Sequence, residues 1–221
     1  MSTKGRVVVT CGPSSEPIDQ VRSITNSSTG ELGIRLANAL ARDGWSVVCC
    51  KGLRATHPEP LAEAVERVPF STNDHLRDRL HALSERQEFA AIFHAAALCD
   101  FRVKAMLNRE HAVTGGAKLS SRAGELTLVL EPATKLLPEL RTLFPAARIA
   151  GWKYELEGTR EEALEKGRGQ IAACASHACV VNGAAYGKGF GVLLASGKLS
   201  HCATHDELCA HLVAWLAAAE R

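Results

Sequence analysis

Short apolar runs ended by glycine, proline or polar clusters alternate along the chain with segments whose apolar residues recur every three or four positions. The first pattern reads as strand and the second as amphipathic helix. Residues 6–11 form a β-branched run that stops at Gly12-Pro13, and residues 14–27, rich in Ser, Asn and Pro, predict a long loop. Over residues 30–42, Leu32, Leu36, Ala39 and Leu40 share one helical face, and Gly44 is placed to stop that helix. Residues 45–50 predict a second strand and 64–70 a short third. Asn73 or Asp74 is placed to cap a helix running to about Arg86, with Leu76, Leu80 and Leu83 inward. Residues 89–96 predict a buried strand.

The middle of the chain breaks this rhythm. Residues 101–124 are polar and irregular, and 125–130 alternate as a strand should, which predicts a β flap over about 103–130. Downstream, 132–144 predict a helix with Pro132 near its start, 147–154 a strand, 159–175 a helix and 178–182 a strand. Residues 187–191 read as a glycine-rich loop. A hairpin follows around Ser196-Gly197, and a last helix begins near Asp206 with Leu208, Leu212, Trp215 and Leu216 inward. Alternating strand and helix predict an α/β fold with a mostly parallel central sheet. No repeat or linker-like tract interrupts the pattern, so one domain over residues 1–221 is the simplest count.

Composition narrows the function classes. The 221 residues carry 26 Lys+Arg against 24 Asp+Glu, a formal net charge of 26 − 24 = +2, and 5% are aromatic. That balance argues against a nucleic-acid binder, which shows a basic excess, and against base stacking as the main activity. No apolar run approaches a membrane span. With no signal peptide read at the N-terminus, the expected location is cytoplasmic. The eight cysteines lie mostly in apolar runs and read as buried free thiols. Cys174, His177 and Cys179, and the set Cys202, His205, Cys209 and His211, lack the paired spacing of a zinc site, so no metal site is assigned. His94 and Trp152, in apolar strand contexts, read as core residues.

Candidate chemistry gathers after the first strand, because ligands of open α/β sheets bind beyond the carboxyl ends of the strands. Gly12, Pro13, Ser14 and Ser15 supply tight turning and hydroxyl donors. Asn26, Ser27, Ser28, Thr29 and Gly30 bring short polar side chains to the start of a helix, a place suited to anions. Arg22 adds a cation for phosphate. The Gly-x-x-x-x-Gly-Lys-Ser/Thr loop is absent, and so is Gly-x-Gly-x-x-Gly at the strand end. Thr29 to Gly33 is similar to the helix start of short-chain dehydrogenases, which leaves an NAD(P)-dependent reductase as an alternative.

The stretch from Val9 to Gly30, with Glu16-Pro17-Ile18-Asp19, Val21-Arg22 and Asn26-x-Ser28-Thr29-Gly30, resembles the phosphopantothenoylcysteine synthetase family. This is the phosphopantothenate–cysteine ligase of coenzyme A synthesis, in bacteria the ligase part of a bifunctional flavoprotein. Ala95 to Arg102, Lys118 before Glu125 to Leu128, Gly151 to Glu155 and Val180 to Asn182 resemble further family segments. The resemblance implies a Rossmann-like three-layer α/β fold with a mostly parallel central sheet and a β flap insertion. It implies that CTP or ATP, with Mg²⁺, activates 4′-phosphopantothenate to an acyl-nucleotide, which cysteine then converts to an amide. Flavin is not implied. Asn26, Lys118 and Arg22 match catalytic positions. Gly12 to Ser15, Asp100, Asn182 and Phe190 match the nucleotide pocket, and Ser27 to Gly30 the acid substrate. A homodimer is implied, with the flap near the interface or active site.

The sequence departs from the family at its cations. The flap tends to read Lys-x-Lys-Lys, and Lys118-Leu119-Ser120-Ser121 keeps the first. Where the helix before Asn182 often carries basic residues, Gln170, Ala173 and Cys174 stand, with Lys166 and Arg168 one turn earlier. These departures keep a non-catalytic nucleotide-binding homologue as another reading.

Overall fold

The computed structural model describes residues 3–108, 111–112 and 124–218. Its strands are β1 (Arg6–Cys11), β2 (Ser15–Pro17), β3 (Ser23–Thr25), β4 (Ser46–Gly52), β5 (Glu66–Phe70), β6 (Ala91–His94), β7 (Phe101–Asn108), β8 (His111–Ala112), β9 (Thr127–Pro132), β10 (Arg148–Tyr154), β11 (Ala178–Asn182), β12 (Phe190–Leu194) and β13 (Leu199–Cys202). The helices are α1 (Glu31–Arg42), α2 (Asn73–Arg86), α3 (Leu140–Leu143), α4 (Arg160–Cys174) and α5 (His205–Ala217), with a 3-10 turn at Leu137–Glu139.

Eight strands form the central sheet in the order β13-β12-β11-β10-β6-β1-β4-β5. The six from β11 to β5 run parallel, and β12 and β13 close the other edge antiparallel. The expected α/β architecture with a mostly parallel sheet is what the chain adopts. Strand β1 lies in the middle and is covered on both faces, hence its continuous apolar run. Val7, Val9 and Cys11 pack into the layer of α1 and α5. Val8 packs into the opposite layer with Leu76 and Leu80 of α2 and Leu140 of α3. Helix α4 joins that second layer through Ala163, Leu164 and Ile171, packed with Cys179 and Val181. All eight cysteines are buried and free, as the apolar runs suggested.

Helix α1 meets β1 at close range. A Cβ on Gly33 would lie 2.3 Å from Cys11 Cβ, so only glycine allows this approach. The flap is built on β7 and β9, which pair antiparallel from Phe101↔Pro132 to Leu107↔Thr127.

Three expectations need correction. Residues 14–27 are not a plain loop: β2 and β3 pair as a hairpin. Its turn is held by Asp19, whose Oδ1 accepts the N–H groups of Val21 and Arg22 at 2.9 and 2.7 Å. The cap of α2 is Thr72 rather than Asn73 or Asp74, with its hydroxyl accepting the His75 N–H. Residues 132–144 do not form one helix, because Pro132 ends β9 and helical structure starts only at the 3-10 turn. Pro138 lies in that first turn, where a missing N–H breaks no hydrogen bond.

Candidate functional site

Strands β1, β6 and β10 lie side by side and parallel, so the loops leaving their carboxyl ends share one region. The chain leaves β1 at Gly12, whose φ of +78° is left-handed. A Cβ there would stand 2.8 Å from Ala55 Cβ, so the turn needs glycine for space as well as angle. Pro13 then bridges to Ala97 in parallel fashion. The Ser14 N–H donates to Ala97 O at 3.2 Å, and the Ala97 N–H to Gly12 O at 3.0 Å. The buried Ser14 Oγ accepts the Cys99 N–H at 2.8 Å. These bonds zip the exit of β1 onto the exit of β6.

From the far end of the hairpin, Asn26 reaches the same segment. Its Nδ2 donates to Leu98 O at 2.8 Å, while the residue stays exposed. Ser27 is exposed beside it. Ser28 Oγ and Thr29 Oγ1 accept the N–H groups of Gly30 and Glu31 at 3.4 and 3.3 Å, bonds longer than usual. Gly30 caps α1 without a side-chain bond. Gly12, Pro13, Ser14 and Asn26 are thus brought together around residues 96–100, with the start of α1 alongside.

A cavity of about 250 Å³ lies against that segment. Asp100 comes to it from the β6 exit, Lys135 from the stretch after β9, Gln170 and Cys174 from α4, and His94 and Trp152 from the ends of β6 and β10. A larger concavity, about 450 Å³, lies between α1 and α5. It is lined by helix residues such as Arg35, Arg42 and Asp206 rather than by strand ends, so the smaller cavity is the better site for this fold.

The electrostatics of the smaller cavity are modest. Lys135 Nζ stands 3.1 Å from Asp100 Oδ1, and both side chains are exposed. Such pairs are worth about 0–1 kcal/mol, so an incoming anion competes for Lys135 at little cost. Lys135 is the one cation among the described lining residues. Lys166 and Lys153 are both held by Glu155, and together, Lys166 first, they keep its carboxyl below the usual range. Arg168 is paired with Glu161 and Glu165. Neither Lys166 nor Arg168 borders the cavity. Burial raises the Cys174 thiol pKa, so it stays neutral. The described residues hold no group of three or more His, Cys, Asp and Glu side chains placed around a metal ion.

Other expected site residues do not border this cavity. Arg22 sits in the hairpin turn, with Nε and one terminal nitrogen both on Asp19 Oδ2 at 3.1 and 2.7 Å. Ser15 pairs with Thr25 in the hairpin, and its N–H donates to Ser71 O at 2.8 Å. Asn182 ends β11 opposite Tyr154 and accepts the Glu155 N–H on its carbonyl at 2.9 Å. Phe190 is not in the cavity: it packs in the core, 5.0 Å edge-on to His205. Lys118 lies outside the described residues.

Sequence reading missed five contributors, Lys135 among them. The buried Glu16 carboxylate accepts the Asn73 N–H, and Asn73 Nδ2 donates to Cys99 O and Thr134 O at 2.8 and 2.9 Å. That tie joins the two segments carrying Asp100 and Lys135. The signal was Glu16 itself, a charge beside Pro17 in a loop with no exposed role. His94 and Trp152, read as core, also border the cavity. His94 bonds Thr10 Oγ1 through Nδ1 at 2.9 Å, and burial lowers its pKa to about 4.

Comparison with known proteins places these features in a family. The chain matches the DNA/pantothenate metabolism flavoprotein C-terminal domain over residues 2–206. It is 28% identical over 178 residues to the coenzyme A biosynthesis bifunctional protein CoaBC of Thermococcus kodakarensis, covering 80% of this chain and 41% of that protein. It is 29% identical over 161 residues to CoaBC of Bacillus subtilis, covering 72% and 36%. The chain therefore spans about two-fifths of the length of these relatives. The DNA/pantothenate metabolism flavoprotein of Streptococcus pneumoniae shares the fold with a TM-score of 0.84 at 22% identity, over 97% of this chain and 99% of that one. A Cab2 mutant in complex with phosphopantothenate-cysteine shares it at 0.71 and 18% identity, over 98% and 89%. The chain belongs to the DNA/pantothenate metabolism flavoprotein C-terminal domain family.

Proposed function

We propose that the chain is a phosphopantothenate–cysteine ligase that works through an acyl-nucleotide. Family membership supports this, as do relatives named for coenzyme A biosynthesis and a like-folded protein solved with phosphopantothenate-cysteine. The observation that carries it is the Asn26 amide bonded to Leu98 O, because it sets a polar head against the wall of the cavity that holds Asp100.

In this reading the carboxylate of 4′-phosphopantothenate attacks the α-phosphorus of CTP or ATP, and the bond to pyrophosphate breaks. The cysteine amine then attacks the acyl carbon, loses a proton, and expels the nucleoside monophosphate. Both partners of the first step are anions, so the site must supply N–H donors and cations. Asn26 donates to the acyl intermediate. Gly12 to Ser15 and Asp100 line the nucleotide, Ser27 to Gly30 receive the acid, and Lys135 meets phosphate at the mouth. Arg22, from the hairpin, and Lys118 neutralise phosphate charge, and Asn182 adds a polar contact to the nucleotide. Phe190 is left to the core. Mg²⁺ bound with the triphosphate would supply charge screening in the first step.

The reading further makes 1–221 one ligase unit, cytoplasmic and homodimeric. Exposed Phe101, Leu128 and Leu130 on the flap strands give a second copy an apolar surface to cover. Light scattering at the mass of a monomer would overturn the dimer.

The neutral Gln170 and Cys174 favour a second reading, a homologue that binds nucleotide without turning it over. One assay separates the two: pyrophosphate release with phosphopantothenate, cysteine, Mg²⁺ and either CTP or ATP. Turnover supports the ligase. Nucleotide binding without release supports the second reading.

A further inference from the structure

We infer that Asp74, with Asn73 beside it, is a positioning residue for the ligase reaction: the first turn of α2 grips both legs of the flap and so sets Asp100 and Lys135 against each other across the mouth of the cavity. This rests on the ligase reading given above, in which those two residues meet the nucleotide.

The flap leaves the sheet along one leg, Cys99 to Arg102, and returns along another, Glu131 to Lys135. The legs touch directly. The Ala133 N–H donates to Asp100 O at 2.9 Å, and Arg102 Nε donates to Glu131 Oε1 at 2.8 Å. Asn73 takes one carbonyl from each leg, Cys99 O and Thr134 O. Asp74 takes one side chain from each. Its Oδ1 accepts the Thr134 hydroxyl at 2.6 Å, and its Oδ2 accepts Arg102 Nη1 at 3.2 Å. Asp100 is therefore held on both sides along the chain, at Cys99 and at Arg102. Lys135 follows directly on Thr134, which is held at its carbonyl and at its hydroxyl.

The two positions demand opposite chemistry. Two carbonyl oxygens need a nitrogen with two hydrogens, which the Asn73 amide has and a carboxylate lacks. A guanidinium can only donate, and the Asp74 carboxylate offers separate oxygens to it and to the Thr134 hydroxyl.

The clamp also has an end. Pairing of β7 with β9 slips between Val103 and Ala105, just beyond Arg102. A bulge is where such a ribbon bends, so bending falls outside the clamp and leaves Asp100 and Lys135 where α2 sets them. Ser27 to Gly30, proposed to receive the acid, lie before α1 and outside the clamp. A fault in the clamp should therefore be felt by the nucleotide and not by the acid.

Steady-state kinetics of pyrophosphate release test this, with phosphopantothenate and the nucleotide that the parent turns over, CTP or ATP, varied in turn. Asp74→Ala should raise KM for the nucleotide about five- to tenfold and leave kcat and KM for phosphopantothenate within about twofold. Asp74 is exposed, so the variant keeps its core. The sign separates positioning from simple charge: removing a carboxylate near phosphates would lower KM for the nucleotide, whereas loosening Lys135 raises it. Asp74→Asn keeps an acceptor for Thr134 and weakens the hold on Arg102, so it should fall between the parent and Asp74→Ala. Adding Thr134→Val to Asp74→Ala should make KM no worse, because both break the same tie. An unchanged or lower nucleotide KM in Asp74→Ala, equal rises for both substrates, or full additivity with Thr134→Val would each overturn the inference and leave the proposed function standing. No pyrophosphate release by the parent with either nucleotide would overturn both.

Discussion

The Glu16 carboxylate accepts the backbone N–H of Asn73 at 2.9 Å, so the hairpin after β1 holds the first turn of α2. The Asn73 side chain in turn holds Cys99 O and Thr134 O. One buried carboxylate thereby fixes three segments that frame the cavity, and it sits where a helix N-terminus favours negative charge. Glu16→Ala should lower stability by about 1–3 kcal/mol, the cost of leaving a buried N–H without its acceptor. Glu16→Gln keeps an acceptor and should cost less. Urea unfolding of the two variants beside the parent checks the order, and equal midpoints for all three would refute it.

Gly33 is a packing residue. A Cβ would meet Cys11 Cβ at 2.3 Å, Cys11 Cα at 3.3 Å and Thr10 O at 3.4 Å, and α1 cannot recede without opening the core around Ile34 and Leu36. Gly33→Ala should cost roughly 1–3 kcal/mol, as overpacking does. Adding Cys11→Gly removes the nearest atom and should recover part of that loss. The double mutant cycle reads the coupling directly, and strict additivity would show that the two residues do not oppose each other.

Stability should fall on acidification. His94 has its folded pKa lowered by burial from 6.5 to about 4, so the unfolded chain binds the proton first. The stability it contributes is complete above pH 6.5 and is lost as pH falls towards 4, by roughly 3 kcal/mol. His177 and His211 are shifted in the same direction, chiefly by burial. Denaturant midpoints between pH 7 and 4 should therefore drop steadily in the parent and less steeply in His94→Gln. A parallel pair of curves would count against this assignment.

What the sequence disclosed depended on how local each signal was. β1, β11 and α1 declared themselves through continuous β-branched runs or one apolar helical face. The hairpin of β2 and β3 stayed hidden because the Asp19 carboxylate holds its turn, without an alternating apolar face to betray it. Gly12, Ser14 and Asn26 were legible because the loop after a first parallel strand has a known place in such folds. The cavity was not, since Lys135, Trp152 and Gln170 come from separate segments that only the fold unites. Phe190, expected in the nucleotide pocket from the family resemblance, lies in β12, where pairing with β13 sets its ring in the core beside His205.

Asn26 is the residue on which the ligase reading most depends. Asn26→Asp removes the amide donor to Leu98 O and sets a negative charge where an acyl phosphate must form. Pyrophosphate release should fall at least a hundredfold, in the range seen when one donor to a developing charge is lost. The melting temperature should stay nearly constant, because the residue is exposed. Lys118→Gln should slow release as well. Parent rates in Asn26→Asp would remove its proposed role.

The cavity wall of α4 offers a gain-of-function test. Gln170 borders the cavity, and its Nε2 contacts the neutral Cys179 thiol, whose pKa burial raises to about 12. An ammonium placed there faces no carboxylate among the described lining residues except Asp100, which Lys135 already partners. Gln170→Lys should therefore tighten binding of a triphosphate more than of a monophosphate, because the attraction grows with ligand charge. At an effective dielectric near 20, a new charge about 6 to 8 Å from phosphate is worth roughly 2 kcal/mol before salt screening. An improvement of five- to tenfold for CTP, with CMP within twofold, is the expected result. Raising salt from about 0.05 to 0.5 M should erase most of it. An equal gain for CMP and CTP would show that the lysine acts on the base or ribose instead, and no gain at all would place the phosphates away from α4.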